Sequence, residues 1–160
     1  MCIRDSYHLL ENVFKVGFFE DGDRIPEKRR LTAENIEIAE RPRFPNRKWR
    51  CSFNNNFMRH WSIEEWKDWL DWLAKKKFNI FFCHEGQEVV WKKLWSSYGL
   101  KRKEDPKGVW KHISYGEPTE WDLYQEKFIK QVLAYGRRIG LKSVCPGWGG
   151  QVPTLSLIHI

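Results

Sequence analysis

Phe78-Asn-Ile-Phe-Phe-Cys-His-Glu-Gly-Gln-Glu-Val-Val-Trp-Lys-Lys-Leu-Trp-Ser-Ser-Tyr-Gly-Leu100 is the stretch on which the fold turns. Phe78 to Cys83 form an apolar run bounded by polar residues, which suits a strand buried on both faces, as strands of a parallel sheet are. His84-Glu-Gly-Gln-Glu88 reads as a loop. Beyond it Trp91, Leu94, Trp95 and Tyr98 recur at helical spacing, and Gly99 suits the left-handed position that ends a helix. The stretch is one strand–loop–helix unit.

The same unit is readable on either side. Upstream, Ser62-Ile-Glu-Glu65 is a capping box, in which the hydroxyl satisfies the Glu65 amide while Glu65 reaches back. The helix it opens carries Trp66, Trp69, Leu70 and Leu73 on one face and ends in Lys75-Lys-Lys77, cations suited to its negative pole. Trp49-Arg-Cys-Ser-Phe53 is a short strand followed by Asn54-Asn55-Asn56. Downstream, residues 100–118 are a long polar loop with Pro106, Gly108, Gly116 and Pro118. Thr119 caps a third helix, whose Trp121, Tyr124, Phe128, Val132, Tyr135 and Ile139 share a face. Gly140 ends it and Leu141-Lys-Ser-Val-Cys145 is the next strand.

Strand and helix alternating in this way imply parallel strands joined by crossover helices. The expected class is α/β: a partial (β/α)8 TIM barrel, its first three β/α units, over residues 47–154. A doubly wound sheet is the alternative, weakened because no glycine-rich phosphate loop follows a strand. Residues 7–46 read as the tail of a small α/β domain. Within them Tyr7–Phe14 is helical, Val16–Phe19 apolar, Asp21-Gly22-Asp23 a turn and Ile36–Ala39 an edge strand. Arg41-Pro-Arg-Phe-Pro-Asn46 is the linker, since two prolines and the residues before them resist helix. Residues 1–6 and 155–160 match neither flank and resemble translated adapter sequence; they are set aside, and the natural termini are expected elsewhere.

Composition narrows the function classes. The chain has 160 residues, of which 41% are hydrophobic, 31% charged and 16% aromatic; ten Trp and ten Phe require burial, which excludes a mainly disordered chain. No apolar run approaches the ~20 residues of a membrane span. The formal charge is +7, but Lys and Arg are spread along the chain rather than gathered in one stripe, so a nucleic-acid footprint is not expected. The Trp61, Trp66, Trp69, Trp72 series has the aromatics of a single-strand stacking platform, yet its helical spacing behind a capping box fits a core face better. With residues 1–6 set aside, Cys51, Cys83 and Cys145 remain; their number and spacing make neither a disulfide framework nor a metal knuckle, and small buried hydrophobes are expected.

In a parallel barrel the loops after the strands build the active site. Three are readable: Asn54-Asn55-Asn56, His84-Glu85-Gly86-Gln87-Glu88 and Pro146-Gly-Trp148-Gly-Gly-Gln151. Each offers groups that suit a sugar: carboxylates and amides for paired hydroxyls, and an indole face for a pyranose ring. His84 to Glu88 nearly spells H-E-x-x-H, but Glu88 stands where the second histidine is needed, so no metal is expected. Glu85 and Glu88 form either an acid–base pair or, for Glu88, a favourable charge at a helix N-terminus. Trp148 serves either as a platform or as an anchor packed on neighbouring loops.

These residues carry a family likeness. The strand, Gly86-Gln87-Glu88, Trp91 and the closing Gly99-Leu100 resemble the strand–GQE–helix segment of glycoside hydrolase family 89, the α-N-acetylglucosaminidases. Trp61-Ser-Ile-Glu-Glu-Trp66 and Asp71-Trp72-Leu-Ala74 resemble its Trp-rich first barrel helix, and Val144-Cys-Pro-Gly-Trp-Gly-Gly-Gln-Val-Pro153 its Gly-His-Val-Pro loop, with Gln151 where the family usually has His. The 100–118 loop does not resemble the family's segment, and Phe18-Phe-Glu-Asp-Gly-Asp23 with Arg41-Pro-Arg-Phe-Pro45 is also reminiscent of α-glucuronidase-type hydrolases. The resemblance implies a retaining exo-glycosidase with two glutamates about 5–5.5 Å apart, both on later barrel strands beyond Pro153. It implies no cofactor, a glycan ending in N-acetylglucosamine as the partner, and a secreted or periplasmic location. Gln87 and Glu88, then Trp148 and Gln151, are the pocket wall it suggests; Asn54, Asn55, His84 and Glu85 are added from loop position. An α-glucuronidase-like or other exo-glycosidase barrel, or a non-catalytic carbohydrate-binding barrel, is the alternative.

Overall fold

The computed structural model describes residues 3–27, 32, 34–49, 58, 60–83, 86–99 and 117–145. The chain forms two compact units: Met1–Phe82 with Ala134–Val144, and Cys83–Leu133 with Cys145–Ile160.

The first unit holds helix α1 (Ile3–Asn12), hairpin β1 (Gly17–Phe19) and β2 (Gly22–Arg24), strand β3 (Lys48–Trp49), helix α2 (Ile63–Lys75) and strands β4 (Ile80–Phe82) and β5 (Lys142–Val144). The three later strands form a parallel sheet in the order β3-β4-β5. Asn79 laces its starting edge. Its carboxamide oxygen accepts from the Arg47 amide at 2.7 Å, its Nδ2 donates to Pro45 O at 2.6 Å, and its carbonyl accepts from the Lys142 amide at 2.9 Å.

Helix α2 starts as expected, with both halves of the Ser62–Glu65 box formed. Its Trp66, Leu70, Leu73 and Ala74 are fully buried, as is Phe81 in β4. Trp61, Trp66 and Trp69 meet edge to face at centroid separations of 5.5–6.1 Å, so each ring face is covered by a neighbour's edge. That is core packing. The three lysines at the end of α2 are spoken for. Lys75 pairs with Asp23 at 2.6 Å, Lys76 donates to the Phe18 carbonyl, and Lys77 pairs with Glu11, tying the hairpin and α1 to the end of α2.

The leading segment differs from expectation in three places. The first helix begins at Ile3 rather than Tyr7, inside the stretch set aside. The hairpin turns at Glu20-Asp21, with Phe19 paired to Gly22, so Gly22 and Asp23 belong to β2. Ile36–Ala39 forms no strand. Ile36 and Ile38 are exposed and no described strand lies alongside to complete a ladder, without which two alternating apolar residues do not hold an extended chain. In β4 only Phe81 is buried while Ile80 and Phe82 are half-buried, so the strand is covered on one face rather than both.

The second unit contains helix α3 (Gln87–Ser97) and the start of helix α4 (Glu120–Arg138), whose last turns belong to the first unit. Phe128, Ile129 and Val132 are buried, and Val89 anchors α3. The expected apolar stripes are only partly used: Leu94 and Tyr98 on α3, and Trp121 and Tyr124 on α4, are exposed. Lys92 pairs with Asp122, and Lys93 with Glu126 at 2.7 Å. These polar links join the two helices beside the buried part of each stripe.

Candidate sugar-binding edge of the parallel sheet

Because β3, β4 and β5 run parallel, the chain leaves all three at one edge of the sheet, after Trp49, Phe82 and Val144. The three candidate loops are the segments that follow these residues.

The segment after β4 is the best defined. Gly86 occupies the N-cap of α3 with φ +78° and ψ 5°, and is buried. Only glycine adopts that conformation without strain. Space makes the same demand, since a Cβ there would lie 3.0 Å from Ile129 Cγ2 and 3.5 Å from the Gln125 carbonyl. Helix α4 thus fixes where α3 begins, and Gln87 and Glu88 take its first two positions. This corrects the expected loop over His84–Glu88: the final two residues are helical, because a glycine cap needs no intervening loop residue. A carboxylate in that first turn is favoured by the helix dipole.

Asn54, Asn55, His84, Glu85, Trp148 and Gln151 lie outside the described residues, so Gln87 and Glu88 are the only candidates placed, side by side on one turn. Among the described residues no group of three or more His, Cys, Asp and Glu side chains gathers as for a metal.

The polar join between α3 and α4 escaped the sequence reading. Asp122 is 6% exposed and closes a second capping box: it accepts from the Thr119 amide at 2.7 Å and the Thr119 hydroxyl at 2.6 Å, while its own amide donates to that hydroxyl. Burial works against the Asp122 carboxylate, but the hydrogen bonds from Lys92 and Thr119 outweigh it and hold its pKa below the ordinary value. Glu126, held by Lys93 and Lys130, is likewise lowered. The signal was present as Thr119-x-x-Asp122, a capping box with Asp in place of Glu.

A cleft of about 1140 Å³ opens at the opposite edge of the sheet, lined by residues including His8, Ile38, Arg41, Arg47, Lys77 and Asn79. Its polar groups are engaged in structure: His8 with Glu40 at 2.9 Å, Lys77 with Glu11, and Arg47 Nε with the Lys77 carbonyl at 2.6 Å.

Residues 50–157 match the alpha-N-acetylglucosaminidase (NAGLU) tim-barrel domain family. Human alpha-N-acetylglucosaminidase is 24% identical over 116 residues, which is 64% of this chain and 16% of the human protein. A family 89 glycoside hydrolase from Clostridium perfringens, solved in complex with 2-acetamido-1,2-dideoxynojirmycin, superposes with a TM-score of 0.70 at 18% identity. A second structure, a complex with PUGNAc, gives 0.65 at 19%. Each superposition covers 95% of this chain and 19% of the other, so the chain spans under a fifth of these relatives' length.

Proposed function

This chain belongs to the alpha-N-acetylglucosaminidase (NAGLU) tim-barrel domain family, and on that footing we propose that it is part of a retaining exo-glycosidase that releases terminal α-linked N-acetylglucosamine from glycans. The observation that carries this reading is the extent of the family match, since residues 50–157 take in all eight candidate positions, Asn54, Asn55, His84, Glu85, Gln87, Glu88, Trp148 and Gln151. An acetamido sugar as substrate is further supported by the 2-acetamido compound named in one structural relative.

In this reading the chain supplies the first three β/α units of the barrel and one wall of the sugar pocket. Gln87 and Glu88 bind sugar hydroxyls from the first turn of α3, and Trp148 stacks on the ring. The two glutamates that act as nucleophile and acid/base, about 5–5.5 Å apart, belong to later barrel strands. The enzyme works outside the cytoplasm, without metal or organic cofactor.

The test is turnover by the purified product of the full reading frame on aryl α-N-acetylglucosaminide beside aryl α-glucuronide. Hydrolysis of the first alone, with retained anomeric configuration in the first-formed sugar, is the expected result. Hydrolysis of the second alone assigns an α-glucuronidase. Activity on neither, with sugar still bound, leaves a carbohydrate-binding barrel.

A further inference from the structure

The parallel register of β4 and β5 ends one residue short of two cysteines. Phe81 pairs with Ser143 and Phe82 with Val144, and the next residues are Cys83 and Cys145. Neither is in a disulfide. Continuing the strands' alternation by one residue puts Cys83 on the side of Phe81 and Cys145 on that of Ser143, which is the same face. Paired strands lie about 4.7–4.9 Å apart, inside the ~4.4–6.8 Å Cα separation that a disulfide accepts and just beyond its ~3.5–4.5 Å Cβ separation, so closure requires a small inward shift of the two strand ends. The two differ in access: Cys83 is 1% exposed, whereas Cys145 is open to solvent.

We propose that Cys83 and Cys145 are a redox-reactive dithiol that closes into a cross-link at the exit edge of the sheet when a small external disulfide is present. The exposed Cys145 sulfur, as thiolate, attacks one sulfur of oxidised glutathione; a Cys145–glutathione bond forms and one glutathione thiolate leaves. The Cys83 sulfur, its proton passing to solvent, then attacks the Cys145 sulfur. The Cys83–Cys145 bond forms and the second glutathione departs. Two protein thiols are oxidised and one glutathione disulfide is reduced to two thiols, so electrons and protons balance. Partial burial pushes the Cys145 thiol up, so the first step quickens as pH rises above neutral. The cross-link joins the segment leading to Gly86-Gln87-Glu88 to the one leading to Trp148, and it stands whether or not the glycosidase reading holds.

The full-reading-frame protein is incubated with oxidised glutathione, its remaining thiols are alkylated, and peptides are mapped by mass spectrometry. The folded protein is expected to give the Cys83–Cys145 peptide as the main product among this chain's cysteines, and Cys145→Ser and Cys83→Ala each abolish it. In concentrated guanidinium the shorter Cys51–Cys83 loop closes more readily and overtakes it, so preference for the longer loop reports folded geometry. A lasting glutathione adduct on Cys145 with Cys83 left to alkylation overturns the proposal. So does a Cys51–Cys83 product in the folded protein.

Discussion

Gly136, in the last turn of α4, lies against the ring of Phe81 in β4: a Cβ on Gly136 would come 2.7 Å from Phe81 Cε1 and 3.1 Å from Cζ. Phe81 is fully buried, with Trp69 at 6.5 Å between ring centroids, and Leu70 Cδ1 stands 3.8 Å from the same Cβ position. The ring has nowhere to go. Glycine in a helix interior costs about 1 kcal/mol relative to alanine, so its presence here reflects how closely helix and strand approach.

Gly136→Ala is therefore expected to destabilise the protein even though it improves the helix, by a net of roughly 1–2 kcal/mol set by overpacking. Chemical denaturation of the protein measures it. Adding Phe81→Leu should recover part of the loss; a stabilised single variant would mean the helix stands off the strand.

Gly86 and Gly99 separate two kinds of glycine requirement. Both have positive φ, +78° and +72°, but an added Cβ meets Ile129 and the Gln125 carbonyl at Gly86 and nothing within 4 Å at Gly99. Gly99→Ala should cost only the left-handed backbone penalty, about 1–2 kcal/mol. Gly86→Ala should cost that and more, and should also lower kcat/KM if Gln87 and Glu88 line the pocket. Equal losses of stability at the two sites would show that α4 does not confine the start of α3.

Asp122 gives stability a pH dependence of known sign. Its folded pKa lies below the ordinary carboxylate value, so its contribution is present above the unfolded value and is lost as pH falls through that value toward the folded one. Melting temperatures of the protein and of Asp122→Asn should accordingly converge below about pH 4, the ordinary carboxylate range, and separate above it. Near neutral pH Asp122→Ala should cost about 1–2 kcal/mol, the usual worth of a cap. A gap that widens on acidification would reverse the assignment.

Phe128 and Trp121 belong to one stripe in the sequence, and the fold treats them differently, at 8% and 56% exposed. Phe128→Ala should cost roughly 3–5 kcal/mol, as a large aromatic removed from a core does. Trp121→Ala should change stability by under about 0.5 kcal/mol, as an exposed substitution does. Denaturant midpoints of the two variants check this, and comparable losses would place Trp121 in a core.

Local chemistry was legible wherever a residue acts on its near neighbours. The Ser62–Glu65 box, the lysines closing α2, the glycine ends at Gly99 and Gly140, and the parallel order of three strands were readable because capping and periodicity depend on positions a few residues apart. The family likeness read from Gly86-Gln87-Glu88 and the Gln151-Val-Pro153 segment is borne out by the match over residues 50–157. Ile36–Ala39 was misread because a strand needs a partner that its own sequence does not name.

The sequence by itself determined the α/β order, the capped start of α2, the glycine ends of α3 and α4, and the family, since each is written in short-range pattern or in motif. Only the tertiary structure decided which half of each apolar stripe is buried, that Gly86 and Gly136 are forced by Ile129 and Phe81, and that Cys83 and Cys145 follow one pair of the ladder. Those facts depend on which distant segments meet and at what register. A shift of one residue would turn every strand side chain to the other face.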